Sequence, residues 1–215
     1  MDQIDIQPFL DRSAARHNHL CPRQILGVRI GLLASQIFGT PPGENPGKRL
    51  LAFVESDGCF SDGIEVATGC TLGHRRLRLE DFGKIAATFV DTQTNHAVRI
   101  APRIDVRESA IQCMPKEKSR YYAQLYGYQR LPNDELLSVN EVTLKEPVSH
   151  ILSRPGVRVR CSQCGEEIIN ERELVRDGKI VCIACAGESY YSVTTPLANN
   201  ATASSRPDET AQVAE

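Results

Sequence analysis

The 215-residue sequence has no excess of charge of either sign, no long apolar run and no glycine-rich phosphate-binding loop. Its 25 basic and 27 acidic residues give a formal net charge of -2, so no whole-chain field gathers nucleic acid or anionic lipid. The most apolar stretch, residues 25–38, is interrupted by Arg29 and is shorter than the roughly 20 residues that span a bilayer. We therefore expect no transmembrane helix, no membrane partner and no nucleic-acid partner.

The N-terminal segment also lacks the basic and apolar regions of a secretory signal, which predicts a cytoplasmic protein. Reductants in that compartment keep most thiols from pairing. The eight cysteines therefore indicate metal ligation or thiol chemistry rather than disulfides.

The order of the predicted elements indicates an α+β fold. Apolar residues at helical spacing after Pro22 predict a helix, and similar spacing predicts helices at 60–68, 103–111 and 119–128. Short apolar runs predict strands at 49–55, 84–91, 97–100 and 137–145, with a hairpin between the second and third. Because these elements follow no strict β-α-β rhythm, we expect mixed helices and an antiparallel sheet in a core domain at 1–146.

Composition divides the rest of the chain into three parts. Residues 147–157 hold two prolines, two serines and a glycine, which predicts a linker. A small finger is expected at 158–195. Residues 196–215 have almost no bulky apolar side chain, so this tail is expected to be disordered.

The finger contains two pairs of cysteines, each with two intervening residues, and seventeen residues separate the pairs: Cys161 and Cys164, then Cys182 and Cys185. This spacing is typical of four-cysteine zinc sites. A tight turn within each pair aims both sulfurs at one ion about 2.3 Å away, and Gly165 permits such a turn. Four thiolates leave no open coordination position, so the sequence predicts a structural zinc.

The fold of the finger is predicted by the residues between the two pairs. Asp177 and Gly178 stand between two short apolar runs and predict a hairpin, after which CIAC opens a short helix, as in a treble clef. A redox role for a CxxC pair is the alternative. Binding of nucleic acid is not expected, because six basic residues at 154–179 are offset by five acidic ones.

A second candidate site begins with His17, His19 and Cys21, which stand at alternate positions before Pro22. Proline favours an extended residue before it, and in an extended segment the three side chains point to one side. They could then clamp a soft or borderline metal ion. In a helix only His17 and Cys21 would meet. The other alternative is a pair of buried histidines that bond to the backbone.

Cys59 follows Asp57 and Gly58 at the start of a predicted helix, where backbone amides stabilise a thiolate. Cys70 lies eleven residues further, about 16 Å along an intact helix, and is expected to be a turn or core thiol. The predicted ligands of the second metal are therefore His19, Cys21 and Cys59, with His17 acting less directly. This core metal is expected to be zinc or another transition metal.

Three segments together resemble the FmdE family of proteins, which takes its name from formylmethanofuran dehydrogenase: HNHLCP, DGCFSDGIEVATGCTLGHRRL and the terminal CSQCGEE with CIAC. The resemblance covers nearly the whole chain up to the tail and implies an α+β core with an auxiliary treble-clef finger. By this match His17, His19 and Cys21 fall on the family's HGHLCPG segment, and Cys59 and Cys70 fall on its DGC and TGC cysteines.

Three functions are consistent with these features. The first is a metal-binding accessory or metal-handling protein of a molybdenum or tungsten oxidoreductase system, without independent catalysis and with a protein partner or a second copy of itself. The second is a metalloenzyme with an open metal position at His19, Cys21 and Cys59. Its acid or base would be one of three carboxylates: Glu55, Asp57 and Asp62. The third, a zinc-finger regulator, is disfavoured by the charge balance.

Overall fold

A computed structural model of the chain describes residues 4–192 and 194. The chain divides into two compact units between Leu152 and Ser153. Residues 196–215, for which disorder was expected, lie outside the described residues. No helix in the described part is long and apolar enough to cross a membrane.

The first unit combines helices with one five-stranded sheet. Its helices are α1 (Gln7–His17), α2 (Pro22–Phe38), α3 (Cys59–Thr68), α4 (Val106–Cys113), α5 (Arg120–Arg130), α6 (Asn133–Leu136) and α7 (Val148–Leu152). Its strands are β1 (Leu50–Val54), β2 (Leu77–Leu79), β3 (Ala87–Asp91), β4 (Ala97–Pro102) and β5 (Leu137–Glu141). The strand order is β2-β1-β3-β4-β5, with β1 and β2 parallel and the other pairs antiparallel. The predicted α+β class is confirmed.

Strand β1 is buried on both faces of the sheet. Leu50, Ala52 and Val54 belong to the main core, which they share with residues of α2 and α3. Leu51 and Phe53 alternate with them and belong to a second apolar cluster. This is the period-two pattern of a central strand, and it explains why the whole run is apolar.

Helix α7 corrects the predicted linker. Residues 148–152 are helical, and Val148 is 8% exposed in the second apolar cluster with Leu51 and Phe53. Ile151 and Leu152 pack against the same cluster. The local sequence resembles a linker, but the sheet face offers apolar surface that this short helix covers, so residues 147–152 belong with the first unit.

The second unit is built from two small antiparallel hairpins. Strands β6 (Arg158–Arg160) and β7 (Glu167–Ile169) form one, and β8 (Leu174–Arg176) and β9 (Lys179–Val181) form the other. The second hairpin turns at Asp177 and Gly178, as predicted. The helix expected from CIAC is a single π-helical turn, Ala184–Glu188. This unit has the expected zinc-finger architecture.

Candidate metal centres

The sulfurs of Cys161, Cys164, Cys182 and Cys185 all lie within 4.8 Å of one another. Four thiolates about 2.3 Å from one tetrahedral zinc would be roughly 3.8 Å apart. The Sγ atoms of Cys164 and Cys182 are 3.9 Å apart, close to that value. The donor set and its spacing therefore fit a structural zinc ion.

Each cysteine pair is held by a tight backbone turn. The Gly165 N–H donates to the Cys161 carbonyl at 3.0 Å, and Gly165 adopts a φ of 77°, which favours glycine. The Ala186 N–H makes the corresponding bond to the Cys182 carbonyl at 2.9 Å. These two turns aim both sulfurs of each pair at a common point, as the spacing predicted.

Backbone amides also prepare Cys161 to hold negative charge. The N–H groups of Gln163 and Cys182 lie 3.4 and 3.3 Å from its Sγ. Bonds from the backbone of Cys164 and Cys182 are the main cause that lowers the pKa of Cys161 to about 6. Hydrogen bonding with Cys182 instead raises the pKa of Cys185 to about 12. Since zinc binds thiolates, the metal must displace the protons that the other sulfurs retain.

In the first unit, Cys21 immediately precedes α2 and is extended, with φ -126° and ψ 160°, as expected for a residue before proline. Its N–H donates to Gln24 Oε1 at 2.7 Å. The Gln24 side chain is fully buried and donates to the Ser13 carbonyl at 2.8 Å. A buried amide thus fixes the backbone that presents the Cys21 thiol.

The two histidines are not part of one extended segment. His17 is the last residue of α1, and Asn18 then adopts a left-handed conformation with φ 58°. The His17 Nε2 contacts Asp62 Oδ2 on α3. The His19 Nδ1 lies 2.8 Å from the His17 carbonyl, and the two ring centroids are 6.1 Å apart. The rings are neighbours because the chain reverses at Asn18, and not because a strand aligns them.

Cys59 is the first residue of α3 and is partly buried. Burial is the main cause that raises its pKa above the ordinary value, followed by a hydrogen bond with the Cys21 thiol, while Arg23 acts in the opposite direction. The sequence expectation of a stabilised thiolate is therefore wrong for the metal-free protein, because burial outweighs the amides of the helix start. The bond also places the Cys21 and Cys59 thiols side by side.

Across residues 4–192 and 194, the finger cysteines are the one group of three or more possible ligands gathered within 4.8 Å. The set of His19, Cys21 and Cys59 is not drawn together to that distance. Its two thiols are adjacent, whereas the His19 ring is directed to the His17 carbonyl. The core metal site therefore remains a prediction.

The three carboxylates considered for acid or base chemistry differ in their surroundings. Glu55 is buried and accepts from Arg99 Nε and a terminal guanidinium nitrogen at 2.6 and 2.7 Å. Asp57 is exposed. Asp62 contacts His17, so it is the one of the three that is joined to a predicted site residue.

Cys70 does not join the core site. It is fully buried in the main apolar core, where its Sγ lies 3.8 Å from the Leu50 carbonyl. Burial raises its pKa to about 11. The structure therefore places it as a core thiol, one of the two roles expected from the sequence.

Sequence reasoning missed Tyr121, in the first turn of α5. Its hydroxyl donates to the Leu20 carbonyl at 3.3 Å, across 101 positions of sequence. Burial raises the pKa of Tyr121, and nearby Cys21 and Cys59 add to the increase. The phenol therefore borders the thiol pair. The tyrosine-rich composition of α5 was visible in the sequence, but no local signal connects it to Cys21.

Comparison with known proteins identifies both units. Residues 16–140 match the family described as FmdE, molybdenum formylmethanofuran dehydrogenase operon. This match spans more than half of the chain, and the chain belongs to the FmdE family. Residues 155–191 match the prokaryotic dksA/traR C4-type zinc finger. The finger geometry and this match together support zinc binding in the second unit.

Two individual proteins are similar over most of the chain. A probable S-adenosyl-L-methionine-binding protein of Archaeoglobus fulgidus is 32% identical over 210 residues, which cover 89% of this chain and 56% of that relative. The chain thus spans little more than half the length of this relative. A crystal structure of an FmdE-like protein of tungsten formylmethanofuran dehydrogenase from Syntrophus aciditrophicus has a TM-score of 0.56 at 20% identity, covering 88% of this chain and 96% of that one. At this identity the likeness concerns the fold.

Proposed function

We propose that this protein is a metal-binding accessory protein of a molybdenum or tungsten oxidoreductase system, or of the handling of its metal. The observation that carries the proposal is the coexistence of two unlike groups of ligands. The finger has four gathered thiols, whereas the first unit has the adjacent thiols of Cys21 and Cys59 with His19 close in sequence. A closed site suits a permanent zinc, and a three-ligand site suits a metal that is exchanged.

The surroundings of the core residues favour an accessory role over an enzyme. Glu55 is engaged by Arg99, and Asp62 by His17 and Arg16. Neither carboxylate is placed as a free base beside the thiols. We place this activity in the cytoplasm, where unpaired cysteines such as these eight remain reduced.

Metal exchange tests the binding part of this proposal. The full-length protein, saturated with Zn²⁺, is expected to hold about two equivalents, one of which a moderate chelator removes much faster. The slow equivalent belongs to the finger. A single class of zinc in the saturated protein would contradict the proposed core site.

The link to an oxidoreductase requires a separate experiment. Tagged protein isolated from its host is expected to carry an oxidoreductase that contains molybdenum or tungsten and releases a fluorescent pterin on oxidation. A Cys21→Ser, Cys59→Ser variant serves as the control for dependence on the core site. Isolated protein without either metal would contradict the accessory role.

A second candidate function is binding of S-adenosyl-L-methionine, as the description of the Archaeoglobus relative suggests. It is supported by a cavity of about 860 Å³ between α2 and α5, a volume suited to a small molecule. Arg29 and Asn133 supply polar groups there, and Leu32 and Leu131 supply apolar surface. Calorimetry should detect binding that Gln36→Trp, on the cavity wall, weakens at least about tenfold. The neighbouring exposed Ile37→Trp is the control, and equal binding by both variants would exclude this cavity.

A further inference from the structure

Both histidines near the core thiols have one ring nitrogen against an oxygen that can only accept a hydrogen bond. His17 Nε2 contacts a carboxylate oxygen of Asp62. His19 Nδ1 lies 2.8 Å from the carbonyl oxygen of His17. Because a carboxylate or carbonyl oxygen requires a donor, the contacted nitrogen carries the hydrogen. In each neutral ring the other nitrogen keeps its lone pair.

This is the arrangement typical of histidines that bind metals, in which the second ring nitrogen donates to a carboxylate or a backbone carbonyl. The nitrogens left for a metal are Nδ1 of His17 and Nε2 of His19. Two imidazoles on one tetrahedral ion, with nitrogens about 2.0–2.1 Å from it, have centroids roughly 5 Å apart. The observed centroid distance of 6.1 Å is near that value.

Asp62 is itself held in place. Arg16, one residue before His17, donates to Asp62 Oδ1 at 3.0 Å and to Glu65 Oε2 at 2.6 Å. Asp62 also lies three positions after Cys59 on α3, so the two share a helix face. One face of α3 therefore presents both a thiol of the core site and the carboxylate that contacts His17.

We propose that Asp62 is a positioning residue, which holds His17 as the Nε2–H tautomer so that its Nδ1 joins His19 Nε2 in binding the core metal. This inference rests on the metal-binding function proposed above and extends its ligand set to His17. Two imidazole nitrogens beside the thiols of Cys21 and Cys59 suit a borderline transition-metal ion such as Zn²⁺ or Co²⁺, and not Mg²⁺ or Ca²⁺.

The test compares Asp62→Asn with a matched control, Glu65→Gln. The first change removes the charge that contacts His17, and the second removes the other acidic partner of Arg16 without touching His17. Co²⁺ affinity is measured by chelator competition in the full-length protein with zinc in the finger. We expect Asp62→Asn to weaken the core site about 10- to 100-fold and Glu65→Gln to leave it near the parent value. Equal affinities in all three proteins would overturn the proposal.

A second measurement reads the tautomer before metal is added. Long-range ¹H–¹⁵N spectra of the protein with only the finger loaded should show His17 protonated at Nε2 in the parent and in Glu65→Gln, and a changed tautomer population in Asp62→Asn. Protonation at Nδ1 of His17 in the parent would overturn the proposal. A parent that binds no Co²⁺ outside the finger would instead refute the proposed function, while the spectra would still decide whether Asp62 fixes the ring.

Discussion

Gly27 of α2 and Gly63 of α3 lie so close that a Cβ atom on Gly27 would be 3.0 Å from the Gly63 Cα. The same atom would be 2.3 Å from the Phe60 carbonyl oxygen. Only helices without side chains at these positions can approach in this way. Cys21 and Cys59 stand at the starts of these two helices, so the glycine contact also sets the spacing of the two thiols.

Gly63→Ala is expected to destabilise the protein by about 1–3 kcal/mol, since its Cβ would lie 2.5 Å from the Gln24 carbonyl oxygen and the helices must separate. Urea unfolding measures this loss. Gly73→Ala is the control, because nothing lies within 4 Å of its added Cβ. Equal stability of the two variants would show that the helices separate at no cost.

The boundary between the units gives a second prediction. A fragment of residues 1–152 is expected to unfold cooperatively, and a fragment of 1–146 should be about 2 kcal/mol less stable because it lacks the buried Val148 side chain. Urea titrations of the two fragments make the comparison. Matching midpoints would mean that α7 adds nothing to the first unit.

Local patterns were sufficient to predict the parts of the fold that local chemistry determines. Helical spacing predicted α2, and the Asp177–Gly178 turn predicted the hairpin of β8 and β9. The two cysteine pairs predicted the gathered thiols of the finger. In each case the residues that determine the element lie within a few positions of one another, or are brought together by one shared ion.

Contacts between distant positions could not be predicted in this way. Asp62 and His17 are 45 positions apart, and Tyr121 is 101 positions from Leu20. Helix α7 was missed for the same reason, because its apolar residues have a partner only when the sheet face is formed. The expectation for Cys59 failed because burial, which depends on the folded surroundings, outweighs the local effect of the helix start.

Cys70 predicts a loss of stability at high pH. Burial raises its folded-state pKa from 9.0 to about 11, so the thiol favours folding fully below pH 9 and this contribution is lost as pH rises through about 11. The loss amounts to about 2 kcal/mol at pH 11. Urea unfolding between pH 8 and 11 should show a shallower decline for Cys70→Ala than for the parent. Parallel declines would mean that Cys70 does not titrate differently in the folded state.

The finger predicts a zinc ion that depends on its own cysteines. A Cys182→Ser, Cys185→Ser variant should contain about one equivalent of zinc fewer than the parent, because two thiolates no longer complete a tetrahedral site. Elemental analysis of the purified proteins checks this. Cys113→Ser, which removes a partly buried thiol of the first unit, is the control. Zinc content equal to the parent in the double variant would remove the finger assignment.

The central claim is a second, exchangeable metal at His19, Cys21 and Cys59, and chelator competition tests it most directly. The measurement follows Co²⁺ bound outside the zinc-filled finger in the parent, Cys21→Ser, Cys59→Ser and Cys70→Ser. The account predicts that Cys21→Ser and Cys59→Ser each abolish this weaker equivalent, while Cys70→Ser retains it because Cys70 lies in the apolar core. Parental Co²⁺ binding in both of the first two variants, or its loss in Cys70→Ser alone, would contradict the account.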